Sequence, residues 1–167
     1  WDIRMGRLSP DGVLLDGDGA VVAGTSGVER FPSVGWDGSR VLVTWWDDAD
    51  PVGRMLARPM QPDGTPSGAA TVLGTGVTQH RAAIASAGEG FAVAWGRQIV
   101  GMQNEIRLQM FDGGGDVAGA STVRAVSAQA VVAVETSADF TCCGDQFGWR
   151  WSSSAAAPAT CGAAMLV

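Results

Sequence analysis

FPSVGWDGSRVLVTWWDD, residues 31–48, is a pair of apolar runs around an Asp-Gly turn, and it closes on two adjacent tryptophans followed by two acids. Successive side chains on a strand point to opposite faces. Val41, Val43 and Trp45 therefore share one face, and Trp46 belongs to the other. The spacing predicts that only one of the two indoles is core.

The same pattern recurs along the chain. RAAIASAGEGFAVAW (Arg81–Trp95) aligns with Phe31–Trp45, placing Phe91, Val93 and Trp95 where Val41, Val43 and Trp45 stand. The counterpart of Trp46 is Gly96. IRMGRLSPDG (Ile3–Gly12) aligns with MLARPMQPDG (Met55–Gly64) and, more loosely, with IRLQMFDGGG (Ile106–Gly115). AVVAG (Ala20–Gly24) aligns with TVLGT (Thr71–Thr75) and TVRAV (Thr122–Val126).

The repeat unit is thus about 50 residues. In the first unit four short apolar segments lie near residues 3–8, 20–23, 31–35 and 40–46. Pro10-Asp11-Gly12, Asp16–Gly19 and Asp37-Gly38 separate them, as turns between strands should. No stretch has helical periodicity. Four antiparallel strands per unit predict an all-β chain of tandem β-propeller blades, a partial propeller at this length. The units read as residues 1–51, 52–102 and a partial third at 103–140. A Ser/Ala/Cys-rich tail follows at 141–167, and its sequence shows neither strand alternation nor a helical pattern.

Composition narrows the partners. The 24 glycines are about twice the usual share of roughly 7%, which suits many turns. The net charge of −6 and the absence of any basic cluster argue against nucleic acid or an anionic membrane surface. Membrane insertion is not expected either, since no apolar run approaches the ~20 residues that span a bilayer. Lysine and tyrosine are missing and Asn104 is the single asparagine, the signature of a GC-rich source. The chain starts at Trp1 with no leader pattern, so it is expected to be a piece of a longer product.

Asp2-Ile3, Arg7–Gly12, Pro32–Gly38 and Val41–Trp46 together resemble the unit of long repeat proteins that bacteria of GC-rich genome export or display at the surface. The resemblance is good over residues 1–112 and weak over 113–140. It implies an extracellular or surface location and propeller-like β repeats, but no particular activity. Ala82 and Ala87 depart from it where Pro32 and Asp37 stand in the first unit. Cys142-Cys143-Gly144-Asp145 appears where a closing tryptophan is due. The tail is a linker, a terminal cap or a shifted reading frame.

Acidic turns invite a calcium reading, which the spacing does not support. A loop starting at Asp18 puts Glu29 at position 12 but Ala20 and Val22 at positions 3 and 5. Turn chemistry accounts for these aspartates. Ser9–Val13 misses the aspartate-box spacing by one residue, and Trp36-Asp37 and Trp46-Asp47 lack the Gly-His partner of WD repeats. Asp47, Asp48 and Asp50 are an acidic turn rather than an assembled acid-base pair. His80, the single histidine, has Gln79 and Arg81 beside it and reads as an exposed loop residue. Cys142, Cys143 and Cys161 lack zinc spacing; in an exported chain one bridge to Cys161 with one thiol left over is expected.

Trp46, Asp47 and Asp48 are the candidate ligand-binding residues. An indole beside two carboxylates at a strand end suits a sugar ring, stacked on the indole and hydrogen-bonded to the acids. The alternative places Trp46 under the DDADPVG loop that follows (residues 47–53) or against the preceding blade. No catalytic residue, metal or cofactor is assigned. The favoured reading is a non-catalytic binding or adhesive module, with carbohydrate, another protein, a neighbouring repeat or a second copy as partner. A carbohydrate-active propeller enzyme and a pure scaffold are the alternatives.

Overall fold

The computed structural model describes residues 1–48, 52–77, 81–86, 89–99, 103–127, 138–143 and 146–151. Among these the chain is all-β, with no helix. Strands β1 (Ile3–Met5) and β2 (Ala20–Ala23) form a hairpin. Strands β3 (Glu29–Trp36), β4 (Val41–Asp47), β5 (Arg54–Met60) and β6 (Thr71–Thr75) form a four-stranded antiparallel sheet in that order. Strands β7 (Ala83–Ser86), β8 (Phe91–Ile99), β9 (Gln103–Phe111) and β10 (Val117–Ser127) form a second, and β11 (Ala138–Cys143) and β12 (Gln146–Trp151) a final hairpin.

The sheets are layered, and both adjacent indoles are core, where the spacing led to the expectation that only one is. Trp45 is buried with Val43, Leu56 and Met60 against Ile3, Val22 and Ala23 of the first hairpin. Trp46 is buried on the opposite face with Leu42 and Met55, against Phe91, Val93 and Trp95 of the second sheet. Because β4 is covered on both sides, it reads as a continuous apolar run instead of an alternating one. Each buried indole contributes at most about 4–6 kcal/mol of transfer free energy, before conformational entropy is counted. Trp45 and Trp95 hold the same place on the second strand of their sheets, and each packs towards the preceding layer.

Turn geometry recurs with the layers. Gly12 N donates to Ser9 O (2.9 Å), Gly64 N to Gln61 O (3.0 Å) and Gly115 N to Asp112 O (2.9 Å). All three glycines have φ between 81° and 89°, a region that costs other residues about 1–2 kcal/mol. The bridges Leu8↔Leu14 and Met60↔Pro66 extend the two hairpins in the same way.

Hydrogen-bond ladders join β4 to β5 across residues 51 and 52, and β8 to β9 across 102 and 103. The sheets therefore run from 29 to 75 and from 83 to 127, out of phase with units read as 1–51 and 52–102. A sequence period has a spacing but no starting point, and backbone pairing supplies the latter. Beyond residue 140, where the sequence shows no strand alternation, a hairpin is paired. β11 and β12 pair from Ala138↔Trp151 to Cys143↔Gln146. Such a ladder is made of backbone groups and does not require side-chain alternation. Residues 152–167, with Cys161, lie outside the described residues.

Candidate functional site

The proposed ligand residues lie at the end of β4, and the layers decide how each is used. Trp46 is 5% exposed, so its indole presents no open face on which a ring could stack. Its Nε1 donates to Val77 O (3.0 Å), and Phe31 meets it edge-on with centroids 6.5 Å apart. Gly53, at φ +70°, lies so close that a Cβ there would sit 2.6 Å from Trp46 Nε1. Asp47 is 1% exposed and forms an ion pair with Arg54, its cross-strand neighbour (2.8 Å). Asp48 is exposed; its Oδ1 accepts from Val28 N (2.5 Å), and its own N donates to Val28 O (3.3 Å). Asp50 and His80 lie outside the described residues.

Other acidic side chains are likewise tied into turns. Asp16 accepts from the Arg7 amide (2.7 Å) and from its guanidinium (2.6 and 3.0 Å). That guanidinium, followed by the backbone bond, holds the Asp16 carboxyl below the usual carboxylate range. Asp63 is lowered by the hydroxyl and amide of Thr65. Burial pushes Asp37 up, but the amides of Ser39 and Arg40 and the Ser39 hydroxyl outweigh it and the net shift is downward. Among the described residues no group of three or more His, Cys, Asp or Glu side chains gathers as a metal would need.

Among the described residues a groove of about 690 Å³ lies between β1 and β3. Trp1, Asp2, Ile3 and Arg4 line one wall, and Glu29, Arg30, Phe31 and Pro32 the other. Trp1 is 82% exposed, with the Arg30 guanidinium 5.7 Å from its ring centre. Glu29 is buried beneath. Its Oε1 accepts from the Thr25 amide (2.8 Å) and hydroxyl (2.5 Å), while its buried Oε2 has no partner.

Phe31 has φ +55°, a genuine outlier for a bulky residue. It occupies the register break between Arg30 and Ser33 in the β3–β4 ladder. Bulges and strained residues concentrate where a strand is re-aimed for a purpose. Here the break lets Phe31 turn inward to Trp46 while Pro32, Val34 and Trp36 stay on the outer face.

No family model, curated protein or solved structure matches this chain. The groove's character therefore rests on its own geometry. β1 hydrogen-bonds to β2 along one edge and, among the described residues, to no strand along the other. Val34 is 65% exposed and Trp36 50%, further along β3 than the residues that line the groove. Sequence reasoning missed Trp1, Glu29 and Phe31. The Phe-Pro dipeptide at a strand start was the available sign, but a positive φ at Phe31 is not readable from residue order.

Proposed function

We propose that this chain is a non-catalytic binding or adhesive module of an exported bacterial repeat protein. In this reading its layered sheets are propeller-type blades, and the β1–β3 groove receives an extended segment of a protein partner. The carrying observation is the β1 edge that bonds no strand among the described residues, across the groove from the exposed Pro32, with Val34 and Trp36 exposed further along β3. An unpaired strand edge offers main-chain hydrogen bonds, and alternate apolar side chains next to it offer specificity, the two needs of strand addition. The blade reading is supported by β3 running beside β7, and β7 beside β11. First strands of successive sheets are neighbours in such an arrangement.

Displayed libraries of extended peptides test this reading. Enrichment of alternating apolar sequences by the chain, lost in Trp36→Asp, is the expected result. Enrichment that ignores Trp36→Asp, or none, removes the strand-binding reading.

A sugar ligand is the second reading, favoured by the unpartnered Glu29 Oε2 below the exposed Trp1 indole. A glycan array gives its test: binding abolished by Trp1→Ala and retained by Trp36→Asp selects the sugar.

A further inference from the structure

We infer that the tip of the β1–β2 hairpin, at Val13, Leu14 and Leu15, is a separate docking surface for a protein segment in which apolar side chains alternate with arginine or lysine. It lies at the far end of that hairpin from Trp1–Arg4 and does not depend on what the groove binds.

Three turns share one backbone geometry. Ser9 N donates to Val13 O (2.9 Å), Gln61 N to Thr65 O (2.7 Å) and Asp112 N to Asp116 O (2.9 Å). Leu15 N donates to Arg7 O (2.9 Å) as Ser67 N does to Pro59 O (3.0 Å), and the bridge Leu8↔Leu14 answers to Met60↔Pro66. Val13, Leu14 and Leu15 therefore stand where the second turn has Thr65, Pro66 and Ser67, and the third Asp116, Val117 and Ala118. All of these residues are exposed. The second turn has a neighbour on either side. A Cβ on its Gly64 would lie 3.6 Å from Ala20 Cβ of the first hairpin, and one on Gly115 of the third turn 2.6 Å from Pro59 Cβ of β5. Flanked in this way, Thr65–Ser67 still meets solvent. Exposure thus belongs to the position.

What differs is the chemistry. The first turn places three large aliphatic side chains there, 60%, 51% and 55% exposed. The turn itself does not need them, since the second and third make the same hydrogen bonds with mostly polar or short side chains. Consecutive aliphatic residues held in water mark a contact surface.

Charge selects the occupant. Asp11 and Asp18 flank the run and are exposed, and among the described residues no guanidinium pairs with either. Asp16 is held by Arg7, and Asp63 of the second turn is near enough to act on the same guanidinium. Arg4 is turned to Gly19 O. Acids outnumber bases around an apolar centre. A basic segment matches both parts, because arginine and lysine stems lie on aliphatic surface while their heads reach carboxylates. The same acids oppose an anionic lipid surface.

Fluorescence anisotropy of short labelled peptides, leucine alternating with arginine, glutamate or serine, tests this on the full chain and on Trp36→Asp, which silences the groove. The leucine–arginine peptide should bind both. In the Trp36→Asp background, Leu14→Asp with Leu15→Asp should weaken it by about tenfold or more, and Ser67→Asp, at the matching place in the second turn, should not. Asp11→Arg with Asp18→Arg should move the preference to the leucine–glutamate peptide. No binding, equal binding of the serine peptide, or loss of binding in Trp36→Asp alone overturns the inference, the last by assigning the peptide to the groove. Binding to phosphatidylcholine vesicles that the leucine variants abolish, without peptide binding, replaces the protein segment by lipid. Should the leucine variants not melt cooperatively, the charge reversal decides: an unchanged peptide preference overturns the inference.

Discussion

Asp47 and Arg54 face each other across β4 and β5, and their carboxylate and guanidinium meet at 2.8 Å. At the same place in the second sheet Arg97 faces Glu105 at 3.4 Å, with the charges exchanged. Glu105 also accepts from Arg107 Nε (2.6 Å). The position takes an oppositely charged cross-strand pair in both sheets and is indifferent to which strand carries which sign.

Asp47 is buried while the Arg54 side chain is 27% exposed, so removing the carboxylate leaves a partly solvated guanidinium. Asp47→Ala is expected to destabilise the chain by about 1–2 kcal/mol in urea denaturation. The double exchange Asp47→Arg with Arg54→Glu should recover most of that loss. A double variant no more stable than the single one contradicts this account.

Gly53 and Gly12 both have positive φ, and their surroundings separate the effects. A Cβ on Gly53 would fall 2.6 Å from Trp46 Nε1 and 2.7 Å from Val77 O, whereas one on Gly12 meets nothing within 4 Å. Gly12→Ala should cost about 1 kcal/mol from backbone strain alone. Gly53→Ala adds a clash and breaks the indole hydrogen bond, so its loss should exceed that of Gly12→Ala by about 2 kcal/mol or more. Equal melting temperatures for the two variants would show that the contact is wrong.

Trp46 and Trp36 make a second contrast. Truncating the buried indole, Trp46→Ala, should lower stability by about 3–5 kcal/mol and leave Val77 O without its donor. Trp36→Ala, on a half-exposed side chain, should stay within about 0.5 kcal/mol. The reverse order would mean that Trp46 faces solvent after all.

Acid should weaken the turns. Asp16, Asp37 and Asp63 all titrate below their ordinary value of 3.8 in the folded chain. A depressed carboxyl stabilises the fold above its unfolded value, and that contribution is lost as pH falls through the lower folded value. The melting temperature should therefore decline as pH drops below about 4, and Asp16→Asn should decline less steeply. A melting temperature that rises on acidification would refute this assignment of the turn aspartates.

What residue order determined was the strand grammar. Alternating Val and Trp around Asp-Gly and Pro-Asp-Gly turns led to an all-β chain with four-stranded antiparallel sheets, and Trp45 and Trp95 stand at matching positions of the repeat. Alternation informs about the two faces of one strand, however, and not about how many of them another layer will cover. Only the tertiary structure decided that β4 is enclosed from both sides, turning Trp46 and Asp47 from a surface site into core. The groove lies between β1 and β3, strands that the turn at residues 24–28 brings side by side. Its strained Phe31 and its unpartnered Glu29 oxygen arise from packing between strands, which no local pattern encodes.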